Sequence, residues 1–229
     1  TNCTFNSCSG SNAEFNYCQF GQTYSDGLVP FQNVEVNNCL FYDFTSVIAT
    51  GGELHIDGTQ IYGKAGIDVT NVSYNGCRFE VPPIENKKST AYVNACIMLQ
   101  MEYSNADDVS FNDCIVNGGG YTIYARAIND YALTDITFDN IQFGCTSSYG
   151  YVYPDVSQGV TFSNISNTDS LYIGSVWKDE EGDMHLSVTN DTNQDRELTV
   201  IMGEVTYTKI IPACPTKAEF SDSTTYSSM

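Results

Sequence analysis

The chain has 229 residues, 28 of them acidic and nine Lys or Arg, for a formal net charge of −19 at neutral pH. A surface that negative repels phosphate backbones and anionic headgroups, which excludes nucleic acid as a partner, and no run of eighteen apolar residues exists to insert into a membrane as a helix. Charged residues are only 16% of the chain, so the exposed faces are expected to be rich in Asn, Ser, Thr, Gln, Tyr and Gly, as in proteins of the extracellular space, a cell surface or a virion tail.

The chain opens inside a truncated phrase, Asn2, Cys3, Thr4 and Phe5, which sets the expectation that further residues precede it. An eight-residue phrase then recurs at 13–20, 34–41, 54–61, 72–79, 109–116, 136–143 and 160–167, with apolar residues at positions one, three, six and eight; Asn167 breaks the last position of the last copy. Position four is Asn16, Asn37, Asp57, Asn75, Asn112, Asp139 and Ser163. Alternation at positions one and three describes a strand with one buried face, and the jump from three to six describes a turn followed by a second short strand. The sixth positions fall at 18, 39, 59, 77, 114, 141 and 165, in steps of 21, 20, 18, 37, 27 and 24 residues. No stretch shows helical spacing of apolar residues, so helical repeats are excluded and a coil of short strands is predicted.

Stacking such turns places Asn16, Asn37, Asp57, Asn75, Asn112 and Asp139 in one column, where each side chain can bond the next and hold a left-handed turn. Position six accepts Cys18, Cys39, Thr59, Cys77, Cys114, Ile141 and Ile165, so it calls for a small or branched buried side chain and predicts free, buried thiols. The alternative is a bridge between Cys3 and Cys8, or one involving Cys145 or Cys214. Segments 66–71 and 95–100 are predicted to supply the third strand of their rungs. Between the phrases, loops at 80–90 and in the two long steps after 116 are predicted to project from one side of the coil. Six tyrosines, Tyr121, Tyr124, Tyr131, Tyr149, Tyr151 and Tyr153, gather on those two steps.

After residue 170 the period stops. Segments 171–177, 184–190, 197–204 and 205–211 read as longer antiparallel strands with polar turns between them. Residues 1–170 are therefore expected to form the coil, and 171–229 a small capping or oligomerisation unit with a loosely held tail. Asp191, Asn193 and Asp195 have the first three ligand spacings of a calcium loop, but Arg196 stands where glycine is needed and Met202 where the closing Glu belongs, so a hairpin turn is the preferred reading.

The repeated phrase resembles the right-handed parallel β-helix superfamily, the architecture of pectate lyases, polygalacturonases, phage tailspikes and many surface adhesins. The resemblance covers roughly residues 1–170 and implies an all-β fold, a right-handed parallel β-helix followed here by a small antiparallel β unit. One such scaffold hosts many activities. The catalytic pattern of polygalacturonases is not reproduced: Asn167, Thr168 and Asp169 follow Asp107 and Asp108 in the wrong order, and no Gly-His-Gly exists. A generic pair of carboxylates remains open, with Asp68, Glu102, Asp107, Asp108, Asp130 and Asp135 as candidates and Arg126 as an anion-holding partner, against the plainer reading of Asp107 and Asp135 as turn residues.

Tyrosine offers a flat apolar face and a hydroxyl, the combination that grips a sugar ring. The expected function is recognition of a polysaccharide or cell-surface glycan, as in a tailspike, tail fibre or adhesin, by Tyr121, Tyr124, Tyr131, Tyr149, Tyr151, Tyr153 and Asp68, multiplied by homo-oligomerisation, for instance as a trimer. A polysaccharide depolymerase on the same scaffold and a structural fibre spacer are the alternatives. No cofactor is expected unless the Asp191 loop holds calcium.

Overall fold

The computed structural model describes residues 2–23, 25–44, 54–83, 91–144, 147–168, 171–178, 184–192, 194–202, 205–213 and 226–227. Every regular element among the described residues is a strand. The chain forms two compact units, Thr1–Ser166 and Asn167–Met229.

The first unit is a parallel β-helix in which the chain visits three sheets in turn. Sheet A stacks β1 (Thr4–Phe5), β4 (Gln19–Thr23), β7 (Leu40–Phe44), β10 (Arg78–Pro83), β13 (Ile115–Gly119), β16 (Gln142–Phe143) and β19 (Ser166–Asn167). Sheet B stacks β2 (Cys8–Gly10), β5 (Leu28–Pro30), β8 (Leu54–Ile61), β11 (Ala91–Met101), β14 (Tyr121–Ala127) and β17 (Gly150–Val152). Sheet C stacks β3 (Ala13–Asn16), β6 (Gln32–Asn37), β9 (Val69–Asn75), β12 (Ala106–Asn112), β15 (Leu133–Asp139) and β18 (Val160–Ser163). Registers align the phrases residue for residue: Val36 faces Tyr74, Tyr74 faces Phe111, and Phe111 faces Phe138.

Inward side chains build continuous aromatic columns. Under sheet A, Phe5, Phe20, Phe41 and Phe79 stack with centroids 5.2, 4.7 and 4.3 Å apart. Under sheet C, Tyr74, Phe111, Phe138 and Phe162 do the same at 4.6, 4.9 and 4.7 Å. These spacings are close to the ~4.8 Å between paired strands, so equivalent rings stack because their backbones do. Between the columns lie Cys18, Cys39, Cys77 and Cys114, all buried with free thiols. Bonding to Cys114, with burial, pushes the Cys77 thiol up to about 12, and bonding to Cys77 raises Cys39 as well. Thiols held protonated in this way are packing groups rather than nucleophiles. Cys8 also carries a free thiol and is not bridged to Cys3, while Cys145 and Cys214 lie outside the described residues.

The asparagine column is real over four rungs; Asp57 is not in it, and Asp139, in register with Asn112, accepts from Ser163 and Asn164 instead. Asn37 donates to Asn16 (3.1 Å), Asn75 to Asn37 (3.0 Å) and Asn112 to Asn75 (3.0 Å). The left-handed residue is the one after the Asn: Tyr17, Asn38, Gly76, Asp113, Asn140 and Asn164 have φ between 52° and 63°. Asp57 does not belong to this column. Its phrase, 54–61, runs straight through as β8 of sheet B, so Asn75 stacks directly on Asn37 and the sixth-position steps become 21, 38, 37, 27 and 24 residues. Gly58, the would-be turn residue, stays extended inside β8 and lies where no side chain fits: a Cβ would meet the Cys96 carbonyl oxygen at 2.6 Å and the Phe79 ring at 2.9 Å. Segment 95–100 supplies a third strand as expected, within β11, whereas 66–68 is a turn and 69–71 open β9 of sheet C, and β8 takes the role assigned to 66–71.

A second ladder was not foreseen. Asn33 donates to Asn12 and Asn71 to Asn33, each at 2.9 Å, and all three have φ of 53–56°. Asp108 (φ 54°) and Asp135 (φ 49°) occupy the same register at the next two rungs. Left-handed backbone is tolerated by Asn and Asp because their short polar side chains bond locally, so these two aspartates are turn residues.

The second unit contains an antiparallel sheet of β20 (Leu171–Lys178), β21 (Met184–Asn190) and β24 (Tyr226–Ser227), and a hairpin of β22 (Arg196–Met202) with β23 (Val205–Ile211). Val188, Leu198 and Ile211 form its small core, with Val200 packed on them. The Asn190 amide nitrogen lies 3.0, 3.0 and 2.8 Å from the carbonyls of Gln194, Ile211 and Pro212, pinning the hairpin base.

Candidate functional site

The outward positions of β14 are Tyr121, Tyr124 and Arg126, half-buried, while Ile123 and Ala125 between them face the core. Gly119 (φ +77°) makes the bend that delivers Tyr121; a Cβ there would touch the Ala95 Cα at 3.0 Å. The chain flanking β17 is lashed along β14. Ser148 and Tyr149 donate backbone amides to the carbonyls of Gly119 and Gly120 at 3.0 and 2.9 Å, and Tyr153 and Ser157 to those of Ile123 and Ala125 at 2.9 and 3.1 Å. The Ala127 amide donates to Ser157 Oγ at 2.9 Å.

This lashing gathers four rings. Tyr124 and Tyr153 stack with centroids 4.8 Å apart and planes 18° from parallel. Tyr121 meets both edge-on, at 5.8 and 5.2 Å, and Tyr149, 47% exposed, leans on Tyr121 at 5.7 Å. Arg126 lies beside them, its guanidinium carbon 4.6 Å from the Tyr153 centroid and 6.0 Å from that of Tyr124, within the range of a cation–π contact. Arg126 Nε donates to Gln100 Oε1 at 2.6 Å, and Gln100 in turn donates to Glu102. Asp155, on the exposed side, stands 3.9 Å from the Arg126 guanidinium. A second pair, Tyr62 and the 49% exposed Tyr103, meets edge-on at 5.9 Å; Gln100, paired across the sheet with Arg126, precedes Tyr103 by three residues and follows Leu99, which pairs with Ile61 beside Tyr62. The arrangement offers flat apolar faces, phenol hydroxyls and one forked cation on an otherwise acidic protein.

The remaining candidates go elsewhere. Tyr151 points to the other side of its strand, its ring stacked on Phe143 at 4.6 Å and packed against the core. Tyr131 and Asp130 are exposed on the turn after β14, and none of the described ring contacts includes Tyr131. Asp68 accepts the Asn105 backbone amide at 3.0 Å and clasps successive rungs. Asp107 lies outward on β12 opposite Thr70 and Thr134, and Asp108 and Asp135 sit in the second ladder. Arg126 pairs with Asp155 and not with Asp107, Asp108 or Asp130. In the calcium candidate, Asp195 accepts the Ala213 amide at 2.8 Å, Asp191 is buried, and Asn193 lies outside the described residues. Among the described residues no group of three or more His, Cys, Asp or Glu is placed to hold a metal ion.

Sequence reasoning missed Gln100, Asp155 and the Tyr62–Tyr103 pair. Gln100 and Arg126 meet only because their strands pair in register, 26 residues apart, and nothing local announces that. The chain matches no protein-family model, no curated protein and no solved structure.

Proposed function

We propose that this protein recognises a glycan through the outer face of sheet B, with Tyr121, Tyr124, Tyr149 and Tyr153 as the ring-stacking surface and Arg126 as the polar anchor. The observation that carries the reading is the cluster of four tyrosine rings packed around one guanidinium and left partly open to solvent. A pyranose presents axial C–H groups on one face and hydroxyls at its rim, and tyrosine matches both at small entropic loss. Such a face works at a cell surface, on a virion tail or in the extracellular medium, as part of a tailspike, tail fibre or adhesin. Oligomerisation, for instance to a trimer, would multiply weak single-site contacts.

A second reading, depolymerisation, draws on Glu102 and Asp155, carboxylates that reach Arg126 from two sides, one through Gln100 and one directly. Affinity electrophoresis through gels containing capsular, plant and algal polysaccharides tests the first reading. One polymer is expected to retard the wild type, and Tyr124→Ala or Tyr153→Ala to weaken that retardation roughly tenfold, since an aromatic contact is worth about 1–1.5 kcal/mol. Retardation unchanged in both variants would remove this face from recognition. New reducing ends or unsaturated products in the same incubation would favour the depolymerase.

A further inference from the structure

Asp57 is the most isolated carboxylate described in the protein. It is 0% exposed, inside β8, and neither side-chain oxygen has a hydrogen-bond partner. On the preceding rung Asp26 stands beside it: Asp26 Oδ1 accepts the Asp57 backbone amide at 2.9 Å, and the Gly27 amide donates to the Asp57 carbonyl at 3.1 Å. These two bonds extend an otherwise thin seam. Strand β5 registers on β8 only through Leu28 and Thr59, whereas β8 registers on β11 at seven positions.

The charged and titratable groups near the pair are few. His55 is exposed on β8 and acts on Asp26, Cys96 on β11 senses Asp57, and Glu80 on β10 reaches Cys96. His55 is the one described group there able to carry positive charge. Ionising Asp57 in place would leave a carboxylate in the interior with only the Ala95 backbone amide to favour its charge and a second carboxylate alongside, a cost that the seam relieves by opening.

We propose that Asp26 and Asp57 form a proton-operated latch on the β5–β8 seam, closed while the buried carboxyl keeps its proton and released when the pair ionises. Burial pushes Asp26 up to about 6, and burial followed by repulsion from Asp26 pushes Asp57 well above the usual carboxylate range. Both folded values lie above the unfolded ones. The latch is therefore fully closed below about pH 4 and weakens as pH rises through the folded values. Above about pH 6, where Asp26 has already ionised, opening releases the one proton of Asp57. The opening equilibrium then rises about tenfold per pH unit until Asp57 ionises in place. General charge repulsion acts in the same direction but across the whole chain, so locality separates the two.

Hydrogen exchange of the full chain, corrected for the intrinsic pH dependence of exchange, tests the latch. Peptides covering 26–30 and 55–59 are expected to lose protection about tenfold per unit above pH 6, while 69–75 on sheet C keeps its protection. Asp57→Asn, which retains shape and removes the charge, is expected to abolish the dependence. A pH-independent seam, equal loss in all three peptides, or an unchanged dependence in Asp57→Asn overturns the proposal. Infrared spectroscopy of the wild type serves if the variant fails to fold: a protonated-carboxyl band must persist after the other carboxylates have ionised and vanish in alkali. Restoration of protection by calcium at high pH would make the pair a cation site and also overturn it.

Discussion

Phe41→Ala is expected to destabilise the β-helix unit by about 3–5 kcal/mol, measured as a fall in the denaturation midpoint with an unchanged slope. Phe41 is fully buried between Phe20 and Phe79, at 4.7 and 4.3 Å, and leans on Tyr74 at 6.2 Å. Rungs above and below are fixed to each other by their backbone bonds and cannot close over the space the ring leaves, so most of the cavity persists. Phe5→Ala, at the half-buried end of the same column, is expected to lose clearly less. Equal losses at the two positions would show that the column is not what holds the rungs together.

The second large effect is expected at the ladder. Asn75 donates to Asn37 and accepts from Asn112, so Asn75→Leu strips a partner from each of two half-buried amides. Leaving such groups unsatisfied costs about 1–3 kcal/mol when buried, and these are partly solvated, so a combined loss of about 2 kcal/mol is expected. Asn12→Gly, at the exposed end of the second ladder, keeps the left-handed backbone and should cost well under half as much, because only Asn33 loses a partner there. Thermal unfolding of the two variants compares them directly, and equal losses would argue that neither ladder carries stability beyond its turn.

The β-helix was legible because a period-two strand, a turn and a second strand recur in one phrase, and six copies occupy equivalent places in sheets C and A. The seventh was misread for a physical reason. Residues 54–61 carry an Asp at position four and a Gly at position five, the same chemistry that Asn75 and Gly76 use to turn, yet the backbone at Gly58 stays extended under the Cys96 carbonyl. Turn chemistry permits a bend without requiring one, and packing from a strand nearly forty residues away decided it. The step of 18 residues from that copy to the next, shorter than any step between the true copies, was the available warning. The role of the cysteines followed from substitution within the repeat itself, since Ile141 and Ile165 hold the same place.

The candidate site was half legible. Tyrosines crowding two long steps pointed to the correct stretch, and four of the six named do converge. Tyr149, Tyr151 and Tyr153 share the parity that a regular strand would put on one face, but β17 is only Gly150–Val152 and opens at Gly150 with φ +142°, so Tyr151 alone turns onto Phe143. Asp135 was legible as a turn residue, but the same reading fell on Asp107 instead of Asp108, because a single chain gives no sight of the left-handed backbone that Asp108 and Asp135 share with Asn71. Asp57 was placed in a turn and lies instead in the interior, where its carboxyl gains a consequence no local pattern predicted.

The recognition face is tested most directly by solving the protein with an oligosaccharide cut from whichever polymer retards it. A sugar ring is expected to stack on Tyr124 or Tyr153, with a ring substituent in hydrogen-bond reach of the Arg126 guanidinium. A ligand bound on sheet A or sheet C, or one touching none of the four clustered tyrosines, would contradict it.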